Sequence, residues 1–187
     1  MKRSTRLLAG IGVAGGVAVA ASAAVLFLLD RHPVGNRSVP EPAKPVDLQR
    51  YVGLWFEVAR YDQRFERSCE SGVTAAYSLR ADGSVDVTNR CRRADGSLKQ
   101  AHGRAKVVDG GTNAKLKVSF FGPFYGDYWV LDRADDYSWS IVGEPSGRYL
   151  WILSRRSNPS PDFVRQLVRR AQELGYDTRP LLYTRQP

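Results

Sequence analysis

NAKLKVSFFGPFYGDYWVLDR, residues 113–133, reads as two short runs of alternating side chains hinged on a Gly-Pro pair. In the first run Leu116, Val118 and Phe120 share one face, while Lys115, Lys117 and Ser119 share the other. A period of two marks a half-buried strand, because successive side chains of an extended chain point to opposite faces. The second run differs: Trp129 lies between Tyr128 and Val130, so both of its faces are apolar or aromatic. Six aromatic side chains fall within residues 120–132, a density that a solid core uses for packing and a hollow barrel can also use for lining.

The same pattern extends in both directions. GVTAAYSLR (72–80) and SVDVTNRCR (84–92) alternate around Ala81-Asp82-Gly83, and Asp-Gly is a strong tight-turn signal. LWFEVARY (54–61) leads the series, and DYWVLDR (127–133), DYSWSIVG (136–143) and RYLWILSR (148–155) continue it between Gly, Pro and Asp turns. SLKQAHGRAKVVD (97–109) alternates least clearly. About eight strands at intervals of roughly 10 to 18 residues, with no helix between them, predict an all-β antiparallel up-and-down meander that closes into an eight-stranded barrel.

One helix follows, in PSPDFVRQLVRRAQELGYD (159–177). Ser160 can cap it, Pro161 suits its first turn, Phe163, Leu167, Val168 and Leu174 make an apolar stripe, and Gly175 stops it. LLYTR (181–185) is a candidate last short strand.

The N-terminus is of another kind. After Lys2, Arg3 and Arg6, residues 7–29 carry no charge, and 23 residues rise roughly 34 Å as a helix, long enough to span a bilayer. Ala21-Ser22-Ala23 resembles a small-residue cleavage site, so residues 1–29 read as a signal or transmembrane anchor, the length favouring the anchor. The basic end then stays cytoplasmic and the chain after Asp30 is exported. Residues 30–46 contain four prolines and no apolar period, which suits a Pro-rich linker to a domain at 47–187.

Of the net +9, residues 1–46 supply +4 (six basic minus two acidic), which leaves +5 on the domain. No basic run interleaves with aromatics, so nucleic acid is not an expected partner. Cys69 and Cys91 lie in the exported part, where disulfides persist. A simple ladder around the Asp-Gly turn does not bring them together; a bulge or bend before Gly72 is needed. A metal pair or a reactive thiol is the alternative, disfavoured because no matching His cluster accompanies the two cysteines.

Four stretches in register, YVGLWFEVARYDQRFER, AAYSLRADGSVDVTNRC, LKVSFFGPFYGDYWVLD and YLWILSR, resemble the lipocalin family over about residues 47–187, its bacterial envelope branch in particular. Gly53 and Trp55 form the family's Gly-x-Trp. The resemblance implies a calyx with Trp55 near the closed end and Arg155 packed across it as a structural pair. It also implies that Tyr77, Asn89, Trp129 and Trp151 look into the pocket, where Val118 and Phe120 should join them. The bacterial branch usually ends its lipoprotein signal in an acylated cysteine; no cysteine precedes residue 69 here, which leaves anchoring to the apolar segment.

The expected function is binding, and with it transport, of a lipid such as a fatty acid or lysophospholipid in the bacterial cell envelope, membrane-anchored with the barrel facing the periplasm. No cofactor or metal is implied. An envelope protein with an empty barrel is one alternative. A lipocalin-type enzyme is another, resting on Glu57, His102, Asp132, Asp135, Asp136 and the two cysteines with little general-base equipment, since one of the two histidines lies in the linker.

Overall fold

The computed structural model describes residues 34–187; the apolar segment 7–29 and its anchoring lie outside the described residues. Among the described residues no helix is long and apolar enough to cross a membrane.

A one-turn helix α1 (Leu48–Tyr51), capped by the Asp47 side chain on Gln49 N–H, leads into β1 (Gly53–Arg60). A 3-10 turn η1 (Arg64–Glu66) follows, then β2 (Ser71–Leu79), β3 (Val85–Arg92), β4 (Leu98–Val107), β5 (Lys115–Phe121), β6 (Phe124–Arg133), β7 (Trp139–Gly143) and β8 (Leu150–Ser154). Each strand pairs antiparallel with the next, and β1 pairs with both β2 and β8, so eight strands close on themselves. Closure leaves no bare sheet edge, which is the physical advantage of this architecture for a chain of short strands.

Helix α2 (Pro161–Glu173) and a two-residue strand β9 (Leu182–Tyr183) complete the order. Ser160 accepts from Phe163 N–H at the start of α2, and Gly175 takes a left-handed φ of 91° just beyond its end, as the sequence pattern predicts. Leu167 and Ala171 are buried against the outer face of the barrel, on Val58, Leu131, Ile141, Leu150 and Ile152. Burying a side chain such as Leu167 is worth about 1.5–3 kcal/mol, enough to hold the helix in place.

Several expectations sharpen. Residues 97–109, the faintest pattern, contain β4, which pairs with β3 from Val85↔Ala105 to Arg92↔Leu98. β6 begins at Phe124, three residues before the alternation becomes visible, because Phe121 pairs directly with Phe124 across Gly122-Pro123. The β2–β3 ladder shifts register between Ser71 and Thr74, and Gly72 adopts φ 63°. That is the bend the cysteines require, and the Cys69–Cys91 disulfide forms across a Cα separation of 5.5 Å.

The part of the linker that is described is extended, as its prolines dictate, but it is not free. Gly35 and Asn36 donate backbone N–H groups to Gly147 O, Asn36 Nδ2 donates to Leu174 O, and Val46 is buried in the barrel's closed end. Ordered structure therefore starts before Asp47. Proline-rich chain without periodicity can still be held when its carbonyls and few apolar groups find partners, and Arg133 donates twice to Pro45 O.

Candidate ligand-binding site

The barrel interior divides into two halves of different chemistry. At the closed end Trp55 has no exposed surface, and its indole N–H donates to Tyr51 O at 2.8 Å. The Arg155 guanidinium lies 3.8 Å from the Trp55 ring centroid and donates to four backbone carbonyls, of Arg50, Tyr51, Val52 and Leu54. Stacking a planar cation on an indole while its N–H groups close the α1 turn makes this pair a plug.

Above the plug, Tyr51, Tyr77 and Tyr128 join hydroxyls around Tyr128, each contact 3.0 Å, and Tyr51 reaches Ser140 Oγ at 3.1 Å. Burial is the main cause that raises all three phenols above their ordinary value, so they stay neutral and bind one another. A cavity of about 20 Å³ remains here, between these rings and Val85, Ala105, Leu116 and Val118, room for about one water. The closed end is core.

The half toward the open mouth is not packed in this way. Register places Ala75, Asn89, Ala101, Gly103, Val118 and Gly126 on the same inner face as Trp55, Val87 and Leu116. These facing positions carry small side chains that reach only a short way into the lumen. Phe120 lies across Gly103, where a Cβ would stand 2.8 Å from the ring. Asn89, Val118, Phe120 and Trp151 face inward yet are only half-buried, the signature of side chains that line an opening. Trp151 stacks on Tyr149 and Tyr149 on Phe65, with centroids 6.0 and 6.3 Å apart, which carries an aromatic ladder up to the mouth. The Asn89 Oδ1 is buried and has no hydrogen-bond partner among the described residues.

Five of the six sequence-predicted lining residues thus come together on the inner face: Tyr77 at its floor, and Asn89, Val118, Phe120 and Trp151 above. Trp129 does not. Tyr128 and Val130 take the inner face of β6, so the period of two turns Trp129 outward, where it packs with the cluster beneath α2 and lies 4.3 Å under Lys115 Nζ. With both faces of that run aromatic, the sequence alternation could not choose which ring pointed in.

Three charged residues were not anticipated as part of the interior. Glu57 pairs with inward Leu153 and Arg60 with inward Trp151, across a register shift between Glu57 and Ala59 that keeps both on the inner face. They are 2% and 6% exposed, and Arg60 Nη1 donates to Glu57 Oε1 at 3.0 Å. Glu66 reaches in from η1, its Oε2 3.0 Å from Arg60 Nε. Glu57 was legible in principle, two residues after Trp55; Arg60 was not, because its direction depends on the bulge.

The groups considered for catalysis are scattered. His102 lies on the outer wall beside Thr88 and Gln100, and Asp132 faces Arg170 and Lys44 under the helix, away from Glu57. Among the described residues no group of three His, Cys, Asp or Glu is placed to hold a metal ion.

A closed antiparallel eight-stranded calyx with a Gly-x-Trp plug and one flanking helix is a specific architecture, and the sequence matches the lipocalin-like domain over residues 46–186. The chain belongs to the lipocalin family. It is 44% identical over 158 residues to the outer membrane lipoprotein Blc of Vibrio cholerae, covering 81% of this chain and 91% of that one. To Blc of Escherichia coli it is 41% identical over 169 residues, 90% and 94% of the two chains. Among solved structures, insecticyanin from the tobacco hornworm superposes with a TM-score of 0.64 at 20% identity, over 81% of this lipocalin and 87% of that chain.

Proposed function

We propose that this lipocalin binds an acyl lipid, a fatty acid or lysophospholipid, in the upper calyx and carries it within the cell envelope. The half-buried inward wall of Val118, Phe120 and Trp151 above a closed tyrosine floor supports this reading, because apolar surface left open to water inside a barrel gains about 25 cal/mol per Å² when a ligand covers it. Asn89 supplies a polar atom, unpartnered among the described residues, of the kind that orients an otherwise apolar ligand. The relatives named Blc are outer membrane lipoproteins; here residues 1–29 serve as the anchor in place of an acylated cysteine, with the barrel facing the periplasm.

Native mass spectrometry of the full chain extracted from the envelope, with solvent extraction of what it holds, tests the proposal. Mass additions corresponding to acyl lipids are expected. A barrel that is empty after gentle extraction and takes up no fluorescent fatty acid favours the alternative of an envelope protein without a stored ligand.

A further inference from the structure

The calyx mouth and the start of the described chain lie at the same end of the barrel. Strand β5 leaves the closed end at Lys115↔Trp129 and turns at Phe121↔Phe124, so the Gly122-Pro123 tip is on the rim. The β7–β8 turn is on the rim too, since Trp139↔Ser154 is its closed-end pair and Gly143↔Leu150 its open-end pair. Gly35 and Asn36 donate to Gly147 O in that turn, at 3.0 and 3.1 Å, and Asp177 N–H donates to Gly35 O. Gly35 lies so close to the Tyr61 ring, and Gly147 to the Asn36 carbonyl, that neither position has room for a Cβ, which fixes the point of entry. From there the chain runs the height of the barrel to Val46, whose N–H donates to Thr112 O at the closed end.

The rim is also where apolar surface is left bare. Phe121 at the tip is 81% exposed, the highest value of any large apolar side chain among the described residues, and Phe124 and Tyr125 beside it are exposed as well. Residues 120–126 carry no charge. Phe65 of η1 and Leu98 at the start of β4 add exposed apolar groups at the same end. The rim loops, residues 61–70, 92–99 and 144–149, hold six basic and five acidic side chains, so their charges nearly balance and attraction to an anionic surface is weak. A surface met by this rim is therefore held by rings, and aromatic rings settle at the headgroup level of a bilayer, where one side is apolar and the other wet.

Resting on the reading of residues 7–29 as a membrane anchor, we infer that the rim aromatics Phe121, Phe124 and Tyr125 dock on the surface of the same bilayer, so that the calyx opens onto the membrane and not away from it. Chain length supports this occupant. Six residues separate Leu29 from Gly35, and even fully extended they reach only about 20 Å, so the rim at Gly147 stays within that distance of the end of the anchor. The tether brings the rim close, and the bare rings choose the face that meets the lipid. An acyl lipid then passes between bilayer and barrel without crossing bulk water.

The test is photocrosslinking of the full chain in vesicles of phosphatidylethanolamine and phosphatidylglycerol, with benzoylphenylalanine in place of Phe121 or, as a control, of Leu54, which is exposed on the outside of the closed end. A carbonate wash first checks that the chain stays with the vesicles. At least about tenfold more phospholipid adduct is expected at position 121 than at position 54, because only a docked rim reaches the headgroup level. Excess oleate, a competitor for the calyx, should leave that adduct unchanged; an adduct that oleate abolishes comes from the calyx and overturns the docking. Equal adducts at both positions, or none at 121 in a chain that survives the wash, overturn it and leave the anchor reading standing. A crosslink at 121 to a second copy of the chain in place of lipid makes the rim an interface between copies and overturns it as well. A chain released by the wash has no anchor, and both readings fall.

Discussion

The two ends of this barrel are built on the same inner faces of the same strands, yet one is core and the other is site. At the closed end every polar group is answered: Trp55 by Tyr51, the tyrosine hydroxyls by one another and Ser140, Arg155 by four carbonyls. At the open half Asn89 Oδ1 has no partner among the described residues, the Arg60–Glu66 contact is misaligned, and apolar rings keep contact with water. Closed hydrogen bonding and complete burial go with stability, while unfinished hydrogen bonding inside a concave wall goes with a ligand that completes it.

The largest effect should come from attacking the plug. Trp55→Ala removes a fully buried aromatic and the ring beneath Arg155; urea unfolding should show a loss of about 3–5 kcal/mol. A loss below about 1 kcal/mol would mean that the closed end is not the core this comparison makes it.

Next comes the tie between the mouth loop and β3. Replacing both Cys69 and Cys91 by Ser should cost about 2–4 kcal/mol, and thiol titration of the unfolded, unreduced wild type should find no reactive sulfhydryl among these two residues. Two titratable thiols would break the assignment.

The contrast is sharpest between two tryptophans. Trp151→Ala should lower acyl-lipid affinity by about tenfold, equivalent to about 1.4 kcal/mol, with little change in melting temperature, because the ring lines an opening. Trp129→Ala should do the reverse, lowering stability by roughly 1–3 kcal/mol through lost packing under α2 and leaving affinity unchanged. Loss of affinity in a folded Trp129→Ala variant would put that ring back at the site.

Smaller effects follow from the charges. The folded-state carboxyl of Glu66 lies at about 8, above its unfolded value near 4.3, so its contribution is fully present below about pH 4 and lost as pH rises through about 8. Glu66→Gln should therefore raise the unfolding midpoint at pH 8 by roughly 5 °C and by less at pH 5. A variant less stable than wild type at pH 8 would contradict the neutral form of Glu66.

Asp132, on the outside, has the opposite sign. Burial alone would lift its carboxyl, but Arg170, Lys44 and the Arg133 N–H hold it below the usual carboxylate range. Its stabilisation is present above about pH 4 and disappears as pH falls through the depressed folded value. Asp132→Asn should cost about 1 kcal/mol or less at pH 7, since Arg170 is well exposed, and the difference from wild type should vanish in acid.

Most of the barrel was legible in the chain because a strand with one wet face must alternate, and β2, β3 and β5 do so visibly. β4 was faint because its inward positions are Ala101, Gly103 and Ala105, small residues that give little apolar signal. Helix α2, its Ser160 cap and its Gly175 stop are local chemistry and were readable without any partner.

The sequence alone determined a series of about eight strands, their order and which residues alternate, since these depend on turn chemistry and on neighbours along the chain; the Cys69–Cys91 bond waited on the bend at Gly72. It left open which face of a doubly apolar strand looked inward: Trp129 and Tyr128 are interchangeable until the register of β6 against β5 and β7 is set. Only the tertiary structure decided that, along with the turning of Arg60 into the lumen by the β1 bulge and the delivery of Glu66 from a loop to the same spot. The physical reason is that burial of a charge and the direction of a ring are properties of the closed barrel, set by bulges and register shifts that join residues far apart in the chain.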